Sequence, residues 1–289
     1  MDHSGAQMAT PRSPWRPSVE AMSTRPAVIA HRGYSSVAPQ NTMAAFEAAW
    51  RGGADYIELD VQVTADGDAA VIHNGTLDET TSGSGPVAER PAAEMAGLDA
   101  GSWFSPVYAG QRVPLLAEVL EFLRTHPQIG LVLEIKGEWP AGPLEGVLDA
   151  ASAPFLQGRL VVESFSHSTM ATARDLAPQL RRDLLISSAD VGLLDLCADL
   201  GVGGVGPDCR MLLQQPDLCD RLHGAGLTVS PWTLNEPAQW SIAVEAGVDA
   251  IVTDRPDRLS GWLTGSGLPS LQVGDEDVPE HGDSSRSLG

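Results

Sequence analysis

Cysteine is scarce in this chain. Its 289 residues contain only Cys197, Cys209 and Cys219, and no two of them have the C-x-x-C spacing of a zinc or thiol-redox motif. The odd number and the wide spacing exclude a site of that kind. We expect three reduced, mostly structural thiols in a reducing compartment.

Long apolar runs are missing as well. Residues 1–26 have no apolar core of the length that a secretory signal requires, and no stretch approaches a membrane span. The sequence therefore predicts a cytoplasmic protein without stable membrane association. The Pro, Ser and Arg content of residues 1–26 predicts a disordered leader, and the polar, acidic composition of residues 265–289 predicts a disordered tail.

Positive charge is in short supply. Lys and Arg together number 18 against 38 Asp and Glu, which gives a formal net charge of -20. Such a chain repels nucleic acid and anionic membrane surfaces, so we expect neither as a partner. If the substrate is an anion, a bound cation or a few clustered basic groups must offset that charge locally.

Between the two ends, short apolar runs alternate with helix-compatible segments. Eight runs are predicted to be the principal strands: AVIA, YIELD, LVLEIK, LVVESF, DLLIS, GGVG, LTVSPW and AIVTD. Alternating βα units indicate a parallel sheet, and eight of them favour a closed (β/α)8 TIM barrel over an open doubly wound sheet. We expect this α/β domain to span residues 27–264.

Two local features refine this prediction. The first helix, NTMAAFEAAWRGG, has Asn41 or Thr42 as its N-cap and Gly52 or Gly53 at its end. Residues 74–112 do not fit a βα unit and are predicted to be a small insertion after the second strand. Placed there, the insertion would lie over the C-terminal mouth of the barrel, where active sites are found.

Charged residues interrupt two strands that should be apolar. Glu58 and Asp60 are two apart in YIELDVQV and therefore point the same way, as do Glu134 and Lys136 in LVLEIK. Three carboxylates at one height can converge on a hard cation that prefers oxygen ligands. The alternatives are a solvated edge strand for the first pair and an internal ion pair for the second. Taken together, the three acids favour a metal site.

Two histidines lie at strand ends beside these acids. His31 closes the first strand and His73 ends AVIH, so they are a candidate general acid and base, although each alone is more often a satisfied polar residue. Arg32 and Lys136 supply positive charge that can grip a phosphate. Trp232 is either a pocket wall or core packing. The combination indicates phosphoryl chemistry on a small anionic ester.

The assembled motifs resemble a known family. AHRGYSSVAPQNTMAAFEAAWRGGADYIELDVQVTADGDAAVIHNGTLDETTSGSGPV, followed by RVPLLAEVL, LEIK, ESF, WTLN and GVDAIVTDRPD, is similar to the glycerophosphodiester phosphodiesterases over residues 27–260. The resemblance implies a TIM barrel that cleaves glycerophosphodiesters to sn-glycerol 3-phosphate and an alcohol with one divalent cation, Mg²⁺ or Ca²⁺. It also assigns roles to residues of this chain. The implied metal ligands are Glu58, Asp60 and Glu134, the acid/base pair is His31 and His73, the phosphate contacts are Arg32 and Lys136, and the pocket residue is Trp232.

The chain departs from the family pattern at two positions. Gln40 stands where the family has the glutamate of P-E-N-T, and Asn74 follows His73 where aspartate is usual. These changes bear on rate, pH optimum and metal preference, since neither touches a proposed ligand. A lysophospholipid substrate is the alternative within enzymes, although Trp103 and Phe104 of the insertion are expected to pack against the mouth rather than form an apolar rim. A catalytically silent phosphodiester-binding barrel is the other alternative, and the intact histidines and carboxylates argue against it.

Overall fold

A computed structural model of the protein describes residues 25–188 and 191–266. All eight predicted strands are present in this part of the chain, together with one additional short hairpin strand. The strands are Ala27–Ala30 (β1), Tyr56–Val63 (β2), Ala69–Val71 (β3), Gly130–Ile135 (β4), Leu160–Ser164 (β5), Arg182–Ile186 (β6), Gly204–Pro207 (β7), Thr228–Val229 (β8) and Ala250–Thr253 (β9).

Eight of the strands form a parallel sheet that curls into a barrel, as predicted. Their order is β8-β7-β6-β5-β4-β2-β1-β9, and β3 pairs antiparallel with β2 outside this path. Backbone hydrogen bonds complete the ring between the two ends of the order. Asp249 N–H donates to Val229 O at 2.9 Å, Val252 N–H to Pro231 O at 3.1 Å and Leu234 N–H to Val252 O at 2.9 Å. The fold is therefore a (β/α)8 TIM barrel.

Helices surround the barrel. They are Met43–Arg51 (α1), Ala92–Met95 (α2), Leu116–Thr125 (α3), Ala141–Ala151 (α4), His167–Leu176 (α5), Leu193–Leu200 (α6), Arg210–Gln214 (α7), Leu218–Gly224 (α8), Pro237–Glu245 (α9) and Pro256–Gly265 (α10). For α1, the Thr42 side chain accepts from Ala45 N–H and Gly52 is the C-cap, so Thr42 rather than Asn41 is the N-cap. Asn41 is thereby free for another contact.

The strands alternate between two environments, and this explains the charges inside apolar runs. On β2, Ile57, Leu59 and Val61 face the core between barrel and helices. Tyr56 packs with the apolar residues that fill the barrel, among them Ile29, Val132 and Val161. Since side chains alternate along a strand, Glu58 and Asp60 share the inner face with Tyr56. Apolar residues therefore share the barrel interior with the carboxylates of Glu58 and Asp60, which lie nearer the carboxyl end of β2.

The predicted insertion, residues 74–112, lies between β3 and α3. It has its own small core, which includes Leu77, Val87 and Met95. It also touches the loop after β1: Tyr108 Oη donates to Val37 O at 2.6 Å, and Gln111 Oε1 accepts from Ala44 N–H at 3.4 Å. Because that loop follows the carboxyl end of β1, the insertion lies at the mouth of the barrel.

The regular elements in the part of the chain that the structure describes run from β1 to α10. β1 begins at Ala27, and α10 ends at Gly265. Arg25, just before β1, makes a two-point contact with the Asp55 carboxylate at 2.7 and 2.9 Å. The predicted leader and tail otherwise fall outside the described residues. No helix among the described residues is long and apolar enough to cross a membrane. All three cysteines carry free thiols, as expected from their number.

Candidate active site

Three carboxylates meet inside the mouth of the barrel. Glu58 and Asp60 come from β2, and Glu134 comes from β4, where it pairs in register with Asp60. One oxygen from each lies within 4.8 Å of the others, and all three residues are buried. The predicted acidic cluster is therefore formed by adjacent strands, as the spacing of two along β2 required. We refer to it below as the carboxylate cage.

One oxygen of each cage carboxylate lacks a well-aligned hydrogen bond from the described residues, and we call these three the inner oxygens of the cage. Glu58 Oε1, Asp60 Oδ1 and Glu134 Oε1 are buried and accept no well-aligned hydrogen bond from the part of the chain that the structure describes. Buried oxygens without partners are costly, and hard divalent cations bind carboxylate oxygens of this kind. The donor set thus fits Mg²⁺ or Ca²⁺, which Glu58, Asp60 and Glu134 would hold.

The pKa shifts of the three cage carboxylates also favour a bound cation. Burial and the neighbouring Asp60 and Glu134 carboxylates raise the pKa of Glu58 well above its ordinary value. Burial and Asp60 raise the pKa of Glu134 to about 7. At Asp60 burial also acts upward, but Arg32, Lys136 and His73 outweigh it and lower the pKa to about 2. Negative charge therefore resides first on Asp60, and a further cation would let the other two ionise.

Arg32 lies against the outer side of the cage. Its backbone N–H donates to Glu58 Oε2 at 2.7 Å, and its Nε lies 3.3 Å from Asp60 Oδ2. Its Nη1 donates to Gln40 Oε1 at 2.7 Å. The residue has a left-handed backbone, φ 56°, at the turn that ends β1. Gln40 is thus an uncharged acceptor that orients Arg32 without adding a second carboxylate beside it.

Lys136 lies on the opposite side. Its Nζ is 2.8 Å from Glu134 Oε1 and 3.4 Å from Asp60 Oδ1. Burial alone would lower the pKa of Lys136, but these two carboxylates outweigh it and hold the pKa above its ordinary value. The two predicted phosphate contacts therefore flank the cage as cations.

Asn41 is a site residue that the sequence interpretation missed. It is buried, its Nδ2 donates to Asp60 Oδ2 at 2.8 Å, and its Oδ1 accepts from Asp60 N–H at 3.3 Å. The sequence offered Asn41 and Thr42 as candidate N-caps for α1. Thr42 caps the helix, and Asn41 contacts Asp60 of the cage. Asn41 fixes the orientation of the Asp60 carboxylate, so that Oδ1 faces inward.

His31 is held by a residue from the far end of the domain. Its Nδ1 lies 2.7 Å from Asp254 Oδ1, which also accepts from Ser35 Oγ at 2.9 Å. Asn235 Nδ2 donates to the other Asp254 oxygen at 2.6 Å. Burial would raise the pKa of Asp254, but these hydrogen bonds hold it at about 2. Asp254 is therefore an ionised partner for the His31 ring and leaves its Nε2 available.

His73 has a different partner. Its Nδ1 lies 2.7 Å from Asn74 Oδ1, and Asn74 Nδ2 donates to Glu79 Oε2 at 2.6 Å. Because the Asn74 amide orientation is fixed by Glu79, the His73 Nδ1 carries the proton and its Nε2 carries the lone pair. Burial lowers the pKa of His73, although Asp60 opposes this effect. The neutral ring is favoured here.

Trp232 follows β8, where it packs against the apolar residues that fill the barrel and against Phe165. The two rings meet edge to face with centroids 5.4 Å apart, and Trp232 Nε1 donates to Gly206 O at 2.8 Å. A Cβ at Gly206 on β7 would lie 2.6 Å from Leu185 Cδ2, so a larger residue there would require the Leu185 side chain to move. Half-exposed Phe165, which the sequence interpretation did not single out, widens the aromatic wall.

The fold and the site together define an enzyme of the (β/α)8 barrel class. The chain belongs to the glycerophosphoryl diester phosphodiesterase family, whose model matches residues 31–258.

Three similar proteins illustrate this membership. A glycerophosphodiester phosphodiesterase of Caldanaerobacter subterraneus is 35% identical over 235 residues, which cover 80% of this chain and 95% of that one. The crystal structure of a glycerophosphodiester phosphodiesterase from Agrobacterium tumefaciens is 31% identical with a TM-score of 0.72, covering 82% and 99% of the two chains. The structure of an Oleispira antarctica phosphodiesterase in complex with the product sn-glycerol-3-phosphate is 29% identical with a TM-score of 0.73, covering 83% and 97%.

Proposed function

We propose that the protein hydrolyses glycerophosphodiesters to sn-glycerol 3-phosphate and an alcohol, with one divalent cation, Mg²⁺ or Ca²⁺, in the carboxylate cage. The observation that carries this proposal is the cage itself, whose three inner oxygens lack a well-aligned hydrogen bond within the described chain and lie between two cationic side chains. Family membership and the product held by the Oleispira antarctica relative support the substrate class.

The bound cation would supply positive charge to polarise the phosphoryl group. Arg32 and Lys136 add positive charge on either side, so the phosphate of the diester binds against both. Arg32 can use its planar guanidinium for two parallel hydrogen bonds, whereas Lys136 acts as a compact charge. Together they offset, at one place, the net charge of -20 that the chain carries.

The two histidines would move the protons. In the first step one ring accepts, at Nε2, the proton of the glycerol 2-hydroxyl as that oxygen attacks phosphorus. The other ring protonates the leaving alcohol, which gives a cyclic phosphate. Water then opens the cyclic phosphate with the two roles reversed. In each case the Nδ1 contact, to Asp254 for His31 and to Asn74 for His73, keeps the ring oriented.

An aromatic wall closes one side of the pocket. Trp232 would line the glycerol or alcohol portion of the substrate, and its ring is fixed by Phe165 and by the carbonyl of Gly206. Since both rings present apolar faces, this side favours the carbon skeleton rather than a charged group.

A lysophospholipid is the second candidate substrate, and one observation bears on it. Trp103 is 43% exposed and Val107 is 87% exposed, so two apolar residues of the insertion form an exposed rim. Phe104 packs edge to face with both Trp103 and Tyr108. The rim is small, and the glycerophosphodiester is the better supported substrate because the relatives are named for it.

The test measures, with the purified full chain, release of sn-glycerol 3-phosphate from glycerophosphocholine and glycerophosphoethanolamine, and release of choline from lysophosphatidylcholine, whose phosphodiester cleavage leaves lysophosphatidic acid. Each reaction is run with Mg²⁺, with Ca²⁺ and with EDTA, and Glu134→Gln serves as a cage variant of matched shape. We expect product from the two glycerophosphodiesters only with a cation, and little from the variant. Product only from lysophosphatidylcholine selects the second candidate, and no product from any substrate overturns the proposal and leaves the silent barrel.

A further inference from the structure

Lys136 is the one lysine in the whole sequence, which otherwise relies on 17 arginines for positive charge. An arginine brings a rigid planar fork, whereas a lysine brings a compact charge on a flexible stem that can move between partners. The single lysine lies in the candidate active site, where its ammonium contacts two carboxylates.

The ammonium lies against the inner oxygens of the carboxylate cage. Its two ion-pair contacts are Glu134 Oε1 at 2.8 Å and Asp60 Oδ1 at 3.4 Å. Both atoms belong to the set of three that accept no well-aligned hydrogen bond among the described residues. Lys136 thus neutralises, without hydrogen-bonding them well, oxygens that a divalent cation would take.

Arg32 does not compete in this way. Its Nε approaches Asp60 Oδ2, which is the outer oxygen and already accepts from Asn41 Nδ2. A cation on the inner oxygens leaves this contact intact. The two positive side chains at the cage therefore differ. Arg32 contacts the outer oxygen of Asp60, whereas Lys136 contacts inner oxygens.

A second position is within reach of the ammonium. Lys136 Nζ lies 5.9 Å from the centroid of the Phe165 ring, which is 41% exposed at the mouth. An ammonium is attracted to an aromatic face at about this distance. A short swing of the flexible stem would bring Nζ away from the carboxylates and toward the mouth, where the substrate phosphate arrives.

We propose that Lys136 and the divalent cation compete for Glu134 and Asp60: in the metal-free protein the ammonium neutralises the cage, and the incoming cation displaces it toward the substrate phosphate. The inference rests on the proposed use of a cation. It adds that cation binding prepares the phosphate site by freeing a charge that was held inside.

Calcium affinity, measured by isothermal titration calorimetry on the full chain, tests the competition without turnover. Lys136→Met removes the charge and keeps the stem, and we expect it to bind Ca²⁺ about 10-fold more tightly than the wild type, since a nearby positive charge opposes the cation. Lys136→Arg keeps the charge and should stay within about twofold. Arg51→Met, at the exposed end of α1, is the control for loss of one surface charge.

Displacement can be followed in the wild type alone. Because the chain has one lysine, protein grown with ¹³C-lysine gives a single side-chain Cε resonance. We expect this resonance to shift saturably with Ca²⁺, and to shift again when sn-glycerol 3-phosphate is added to the Ca²⁺-loaded protein. This experiment uses only the wild-type protein, so its result does not depend on whether a variant folds.

The outcomes separate the two levels of the proposal. Equal Ca²⁺ affinity in wild type and Lys136→Met, or a Cε resonance that stays fixed while calorimetry shows saturation, overturns the competition and leaves cation use intact. If neither protein binds Ca²⁺ or Mg²⁺, the competition and the cation-dependent part of the proposed function both fall.

Discussion

Asn41 donates its side-chain N–H to Asp60 Oδ2 over 2.8 Å, and its own backbone at φ 56° is left-handed. The contact fixes the Asp60 carboxylate, so replacing Asn41 should weaken Ca²⁺ binding and lower kcat/KM by about 10-fold or more. Asn41→Gly keeps the backbone conformation and loses only the amide, whereas Asn41→Ala should lose about 1 kcal/mol of stability in addition. Calorimetry, initial rates and thermal unfolding measure the three effects. Wild-type affinity and rates in Asn41→Gly would contradict the assigned contact.

The histidine pair gives the second prediction. His31→Ala and His73→Ala should each lower kcat by at least about 100-fold, as loss of a general acid or base does. His126→Ala is the control, because His126 packs on Phe122 and Trp50 in the outer layer. Initial rates with glycerophosphocholine measure the effect, and circular dichroism verifies the fold. A wild-type rate in either site variant would remove that residue from the mechanism.

Asn74 is the hydrogen-bond partner of the His73 ring at Nδ1. A carboxylate in place of its amide favours the charged imidazolium, so the limb of the pH–rate profile that belongs to His73 should move upward by about one unit. The change is made as Asn74→Asp together with Glu79→Gln, since Asn74 Nδ2 now donates to Glu79 and two carboxylates would otherwise meet. Glu79→Gln alone is the control. An unchanged profile in the double variant would show that His73 titration does not limit the rate.

Gln40 orients Arg32 without neutralising it. In Gln40→Glu a carboxylate would take the place of the acceptor that lies 2.7 Å from Arg32 Nη1, and it would oppose the substrate phosphate. We expect KM to rise about threefold to tenfold with little change in kcat, because ground-state and transition-state binding are weakened alike. Gln40→Met, which removes the acceptor without adding charge, separates orientation from electrostatics. A lower KM in Gln40→Glu would refute the effect of charge.

The sequence predicted the barrel well because its signal is local. Buried parallel strands are apolar runs between helices, and each of the eight was recognisable by itself. The seventh is shorter than expected: LTVSPW gives only Thr228–Val229 as β8. Pro231 lies in the remainder of that run and has no N–H to continue the ladder. The cage was predictable for the same local reason, since Glu58 and Asp60 are two apart on one strand.

The partners of the site residues were much harder to predict. Asp254 follows His31 by 223 residues, and their contact exists because β1 pairs with β9. No spacing rule relates two such positions. Asn41 was noticed only as a possible helix cap, since its side chain could serve either the helix or the cage. Phe165 belongs to the ESF motif, but it carries no charge, so no role was assigned to it before the structure.

The pairing of β1 with β9 has a consequence for how the protein becomes active. The ribosome synthesises His31 early and Asp254 late. The contact with Asp254 that orients the His31 ring therefore forms only when the two ends of the domain meet. Contacts of such long sequence separation are slow to form. During refolding, enzyme activity should therefore recover later than the helical signal in circular dichroism. The return of activity would report when the barrel closes.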